Sequence, residues 1–303
     1  MFKSIKKFNY YVQWGIRCKF FNKKIPLTCS LILTDKCNLN CSHCVVKRLG
    51  YKELGFEKIK RDIRTLYDTG CRMLVITGGE PFLWEDGSRN LDDVINFAKS
   101  IGFFRTVVCT NGTFKLDSCS DYLWVSLDGN RDEHNKLRNG DVYDKVVSNI
   151  TNSNHNKIYI NFTISSINVH NFENSALEIL KFKKIKGVMF HLFTPYIGLK
   201  GNTLQLSDGQ RKTTIKKMLA IKKKNPLKIS NTFSGIKALN ANDWERPIWS
   251  SIVINREEIS ECCCRKEIYD MEVCEQCGCT PAVETWVLQK MKPVAIIENL
   301  RFL

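Results

Sequence analysis

The 303-residue sequence has no apolar run approaching the roughly 18 residues that a membrane-spanning helix needs, which excludes a helical channel or transporter. Its first residues, Met1 to Lys7, lack the apolar core and small-residue cleavage site of a secretory signal. A cytoplasmic location is therefore expected, with a peripheral position at the inner membrane face as a further expectation. There is no low-complexity tract, and no internal repeat beyond an alternation of strand and helix patterns. Acidic side chains are few, 31 against 46 Lys and Arg, leaving a net charge of +15. That balance favours nucleic acid or an anionic membrane surface as a partner. A proteome-wide lysine bias gives the same balance.

What is abundant is cysteine. Fourteen cysteines without a secretory signal point to metal or cluster ligation more than to disulfides. Cys18, Cys29, Cys71, Cys109 and Cys119 are scattered and read as small buried hydrophobes. The others form two groups. Cys37, Cys41 and Cys44 form a C-x3-C-x2-C array just after the apolar, strand-like run Leu27 to Leu33. Three thiols on a metal that prefers four ligands leave one position open, which suits chemistry better than scaffolding. The second group is Cys262, Cys263, Cys264, Cys274, Cys277 and Cys279. It reads as a second metal site, with one or two of the adjacent cysteines (Cys262 and Cys264) joining Cys274, Cys277 and Cys279. An auxiliary iron–sulfur cluster is favoured there over structural zinc.

Periodicity divides the chain into three parts. Residues 1–26 interleave Lys and Arg with Tyr10, Trp14 and Phe21 at helical spacing. This predicts either an interfacial amphipathic helix or one covering an open end of the main domain. Residues 27–225 alternate strands (27–33, 72–77, 104–110, 122–127, 157–165, 187–193) with helices (54–69, 91–100, 142–152, 172–183, 207–223). An unusual signature follows each of five strands: the cysteine array, Gly78-Gly79-Glu80-Pro81, Asn111-Gly112, Asp128-Gly129 and Thr194-Pro195-Tyr196. Signatures in register at the C-terminal strand ends predict an α/β fold, a partial (β/α)6 TIM-type barrel. Residues 226–303 lack long periodic segments and are expected to form a small cysteine-rich extension.

The three-cysteine array followed by Gly78-Gly79-Glu80-Pro81 resembles the radical S-adenosylmethionine (SAM) superfamily over about residues 27–200. The resemblance implies that Cys37, Cys41 and Cys44 hold three irons of a [4Fe–4S] cluster. SAM would chelate the fourth and be cleaved to a 5′-deoxyadenosyl radical. It implies an electron donor of flavodoxin or ferredoxin type. It also assigns Gly78, Gly79, Glu80 and Pro81 to the methionine end of SAM. Glycines there would let the backbone approach the ligand, and Glu80 would accept hydrogen bonds from its cationic amine. Asn111, Ser126 and Asp128 are candidates for the ribose or substrate side. Asn161, Thr163 and Thr194 are further candidates. His43 stands where the family often has an aromatic that stacks near adenine. Asp128 is the favoured acid–base group, whereas Arg131, Asp132, Glu133 and His134 read as a solvated loop at a helix start.

The stretch Trp124 to His134, then Val142-Tyr143-Asp144-Lys145, looks like the hopanoid-synthesis subgroup and its uncharacterised archaeal-type relatives. So does the tail Cys274-x2-Cys277-x-Cys279-x-Pro281, although with shorter cysteine spacing. This implies a radical acting on an isoprenoid or other lipid. The alternatives are a maturase of a ribosomal peptide, since such enzymes commonly carry C-terminal auxiliary clusters, or an RNA-modifying enzyme. A zinc-stabilised binding module is the non-enzymatic alternative.

Overall fold

Apolar residues alternating at every second position build the centre of the molecule. The computed structural model describes residues 2–44, 46, 53–195, 203–246, 248–255, 258–261, 271–275 and 277–299. Six strands, β1 (Thr28–Ile32), β2 (Met73–Thr77), β3 (Arg105–Thr110), β4 (Tyr122–Ser126), β5 (Ile158–Ile164) and β6 (Ile185–Leu192), pair in parallel, each with the next. They are joined through α2 (Phe56–Asp68), α3 (Leu91–Ile101), α4 (Arg131–Arg138), α5 (Tyr143–Asn152) and α6 (Phe172–Leu180). The outward residues of the strands, among them Leu31, Ile76, Val108, Ile160 and Phe190, are buried beneath these helices. The alternate residues face a concave inner surface and are only half-buried, among them Thr77, Cys109, Trp124, Ser126, Asn161 and His191. The α/β fold with a curved parallel sheet is the expected one.

The residues after 225 are more ordered than their pattern suggests. After α7 (Asp208–Lys224) and α8 (Phe233–Ala241), β7 (Ser251–Asn255) pairs in parallel with β1, and β8 (Glu258–Glu261) returns antiparallel. The sheet order is thus β6-β5-β4-β3-β2-β1-β7-β8. Then follow α9 (Met271–Glu275), α10 (Thr280–Gln289) and α11 (Pro293–Asn299). Ile236, Trp244, Ile252, Val283 and Val287 from this region belong to the same apolar core as the strands. The short elements and the intervening cysteines hid this continuity from a periodicity reading.

The N-terminal helix α1 (Phe2–Phe20) lies across the N-terminal ends of the strands. Its Tyr10 hydroxyl donates to the Gly70 carbonyl before β2, at 2.7 Å, and the Tyr10 ring meets Phe104 before β3 edge to face. Trp14 and Cys18 pack with Leu27 before β1, and the Trp14 indole donates to the Ile25 carbonyl at 2.8 Å. Arg105, the first residue of β3, lies over the Tyr11 ring. Five to eight residues per strand therefore separate α1 from the opposite edge by about 17–26 Å.

Candidate active site

The cysteine loop is held by an extension of the β1–β2 pairing. Beyond the last paired residues, the Leu33 amide donates to Thr77, the Gly79 amide to Thr34 and the Glu80 amide to Lys36, at 2.7–2.8 Å. This close approach explains the two glycines. A Cβ on Gly78 would stand 2.4 Å from the Thr34 carbonyl oxygen, and one on Gly79 2.2 Å from that of Lys36. Real atoms do not approach so closely, so the glycines are required by the protein's own cysteine loop. That is a reason for the glycines beyond the one expected from the sequence.

Glu80 is fully buried. One oxygen accepts from the Thr110 hydroxyl at 2.8 Å and from the Phe82 amide at 3.2 Å, and the other from the Asn111 amide at 2.7 Å. Burial raises its pKa to about 7, against the lowering effect of these donors. The carboxyl ties β2 to β3 and already has partners on both oxygens. Pro81 is buried at the start of the short turn that follows.

Asn111 sits at the end of β3 and turns back to the loop. Its amide nitrogen lies 2.9 Å from the Asn38 side-chain oxygen and 3.8 Å from the Cys37 sulfur, and its oxygen accepts from Thr113. The Leu39 amide also reaches the Cys37 sulfur, at 3.5 Å. Asn38, Thr110 and Thr113 were not distinguishable in sequence, since each looks like an ordinary loop or strand-end polar residue.

Asp128 is not in the open mouth. It is fully buried, and Arg138 grips one oxygen through two nitrogens at 2.7 and 2.5 Å while the Thr163 amide donates to the other at 2.8 Å. Burial alone would raise its pKa, but Arg138 and His134 hold the carboxyl well below the usual carboxylate range. It is a fixed anion, not the exposed acid–base group expected. Arg138 in turn reaches toward the Cys41 sulfur, at 4.0 Å. It was missed because α4 is too polar to show helical periodicity. The signal was its capping box, Asn130 with Glu133, both of whose reciprocal bonds are present. The residues expected to be a solvated loop are that helix: His134 is buried against Asp128, whereas Arg131 pairs with Asp144 at the surface.

His43 faces α4. Burial, with Arg138 beside it, depresses its pKa to about 4, so the ring is uncharged at neutral pH. Its buried Nδ1 has no hydrogen-bond partner, and the neighbouring Ser42 amide donates to Leu137 at 3.0 Å. The Cys37, Cys41 and Cys44 thiols are free, and burial raises the first two above their ordinary range. Three free thiols in one short loop, with amide and guanidinium donors near two of the sulfurs, fit an iron–sulfur cluster.

On the inner face Ser126 pairs in register with Asn161, whose side-chain oxygen meets His191 Nε2 at 3.1 Å. The other ring nitrogen, Nδ1, lies 2.9 Å from the Thr280 hydroxyl, so both nitrogens of His191 have a hydrogen-bond partner. Thr194 binds the Gly278 amide at 3.1 Å, and Gly278 in turn accepts from the Leu192 amide. Thr194 thus anchors the C-terminal cysteine segment. Cys277 is buried there, and its sulfur accepts from the Cys279 amide at 3.3 Å. Cys262, Cys264 and Tyr196 lie outside the described residues. Among the described residues no three His, Cys, Asp or Glu side chains, the Cys37, Cys41 and Cys44 thiols included, are drawn together as a metal site, so the cysteine loop suits a cluster by its donor set and not by converged sulfurs.

Residues 31–182 match the family model "Radical SAM superfamily". Fe-coproporphyrin III synthase of Methanosarcina barkeri is 30% identical over 173 residues, 52% of this chain and 42% of that protein. The subtilosin biosynthesis protein AlbA of Bacillus subtilis is 31% identical over 128 residues, 38% of this chain and 27% of that protein. The chain therefore spans less than half of either relative. Neither is a hopanoid enzyme by name, so the expected subgroup gains no support. The structure of Streptococcus suis SuiB bound to precursor peptide SuiA superposes with a TM-score of 0.61 at 13% identity, covering 87% of this chain and 68% of SuiB. At that identity the likeness speaks for the fold. With its three-cysteine loop locked to a Gly-Gly-Glu-Pro turn at the mouth of a parallel sheet, the chain belongs to the radical SAM superfamily, enzymes that use a [4Fe–4S] cluster and SAM.

Proposed function

We propose that this radical SAM enzyme matures a peptide, with SAM and the cluster bound at the cysteine loop. When bound, that pair supplies a 5′-deoxyadenosyl radical, which takes a hydrogen atom from the substrate. Cys37, Cys41 and Cys44 are the proposed cluster ligands. The mouth residues Ser126, Asn161 and Thr163, with buried Arg138 behind them, are the proposed contacts for SAM and substrate. Asn111 orients the Cys37 loop, and Asp128 keeps Arg138 charged and fixed.

One observation carries the peptide reading. The C-terminal cysteine segment is stitched to the end of β6, through Thr194 with Gly278 and His191 with Thr280, and so borders the mouth. A second cluster ligated from Cys262, Cys264, Cys274, Cys277 and Cys279 would flank the substrate there, an arrangement suited to a peptide maturase. AlbA, a bacteriocin biosynthesis protein by name, supports the same reading. A lipid substrate is less favoured, because the basic aromatic helix that suggested it lies at the other end of the strands.

The test is anaerobic reconstitution with iron and sulfide. About eight irons per chain, falling to about four in Cys277→Ala, supports the second cluster. Reaction with a short peptide encoded beside the gene should release 5′-deoxyadenosine and methionine and lower the peptide mass by two hydrogens, one taken as an atom by the radical and one leaving as a proton, with SAM as the net two-electron oxidant. An unchanged peptide mass despite 5′-deoxyadenosine formation would sink the peptide reading and leave the radical SAM assignment standing.

A further inference from the structure

α1 has two apolar faces. Tyr10, Tyr11, Trp14 and Cys18 turn inward and fix the helix to the strand ends. The opposite side carries a second row at spacings of three and four residues: Ile5 (48% exposed), Phe8 (48%), Val12 (41%), Ile16 (38%) and Phe20 (66%). One packed face is all a covering helix needs. The outer row exposes large apolar side chains to water without any return in fold stability, which marks an interaction surface.

Charge identifies the occupant. The first acidic residue of the chain is Asp35, and before it stand Lys3, Lys6, Lys7, Arg17, Lys19, Lys23 and Lys24. Lys6, Arg17, Lys19, Lys23 and Lys24 are exposed around the row. A second copy of this chain docked face to face would bring these cations together with no carboxylate from either helix between them. Like-charge juxtaposition of that kind disfavours association. An anionic bilayer instead accepts the apolar row at its headgroup boundary and attracts each nearby Lys or Arg.

We propose that the outer face of α1 docks the enzyme on an anionic lipid bilayer, with the cysteine loop directed away from it. The helix lies on the surface and does not span it. Substrate then enters from the aqueous side, at the far end of the strands.

The test uses the full chain with its cluster reconstituted, floated with phosphatidylcholine vesicles or with vesicles containing about 30% phosphatidylglycerol. Flotation with the anionic vesicles only is expected. The double variants Phe8→Ser/Ile16→Ser and Lys19→Glu/Lys23→Glu should each reduce partitioning at least about tenfold while leaving 5′-deoxyadenosine formation unchanged. The charge variant alters only exposed polar groups, so it decides the matter even if the apolar variant folds poorly. Absence of flotation, or flotation insensitive to the charge variant, overturns the proposal. So does a dimer in light scattering that Phe8→Ser/Ile16→Ser converts to monomer, since the row would then bind a second copy.

Discussion

The two ends of the strands are built on different principles. At the C-terminal end, backbone groups and buried polar side chains hold one another at specific distances: Gly79 to Thr34, Glu80 to Asn111, Arg138 to Asp128. At the N-terminal end, aromatic rings of α1 cover apolar strand ends, with few directed bonds. Chemistry requires fixed geometry, and fixed geometry comes from directional bonds that fail together when one partner is removed. A cover requires only area, which tolerates exchange. The difference teaches where a single substitution will be felt.

The contrast can be broken or sharpened by substitutions, taken from the greatest effect downward. Cys41→Ala should abolish 5′-deoxyadenosine release, a loss of at least about 100-fold by chromatography of the reaction mixture, and should lower iron content and visible absorbance by about half. Retention of both would detach the loop from the reaction. Gly79→Ala should cost on the order of 3–5 kcal/mol in urea unfolding, because its Cβ would meet the Lys36 carbonyl, and iron content should fall with it. A small cost would mean that the loop and turn can part without penalty. Asp128→Asn leaves a buried guanidinium without its counter-charge and should cost roughly 3 kcal/mol.

Glu284, on α10, gives a pH-dependent case at the same end. Its carboxyl is buried, accepts from the Thr232 amide at 2.9 Å, and leaves its second oxygen without a partner. Burial raises its pKa to about 7, with nearby Glu298 adding to the rise and Lys222 opposing it. A carboxyl raised in the folded state contributes fully at low pH, where it is neutral folded or unfolded. That contribution fades as pH climbs from about 4.5 to 7. Glu284→Gln should therefore gain on the native protein across that window, by on the order of 1–3 kcal/mol at pH 8 relative to pH 5. Urea midpoints at the two pH values measure it, and a pH-independent difference would place the group outside this scheme. The smallest effect belongs to the outer face of α1, where Phe8→Ser should change stability by no more than about 0.5 kcal/mol. A large loss there would show that the outer row is part of the fold.

Much of this was legible in sequence, and what was not has physical reasons. Strands β1 to β6 fall where their apolar runs predict them, because the outward face of each is buried beneath helices. The C-x3-C-x2-C array and the Gly-Gly-Glu-Pro turn are visible because their chemistry requires particular residues close together in the chain. Arg138 was invisible because its partners, Asp128 and Cys41, are distant in sequence and its helix has no apolar stripe. The contact of Gly78 and Gly79 with the cysteine loop was not legible because sequence shows that something approaches a glycine, not everything that does. β7 was missed because no helix pattern follows it, β8 returning antiparallel, and because its membership in the sheet depends on β1 having a free edge.

The bonds from Gly79 and Glu80 to the cysteine loop run between main-chain atoms of segments that strand pairing already brings together. The loop's outline is therefore encoded by the polypeptide, independently of anything the thiols hold. Folding and cofactor loading can then be separate events in the life of the protein.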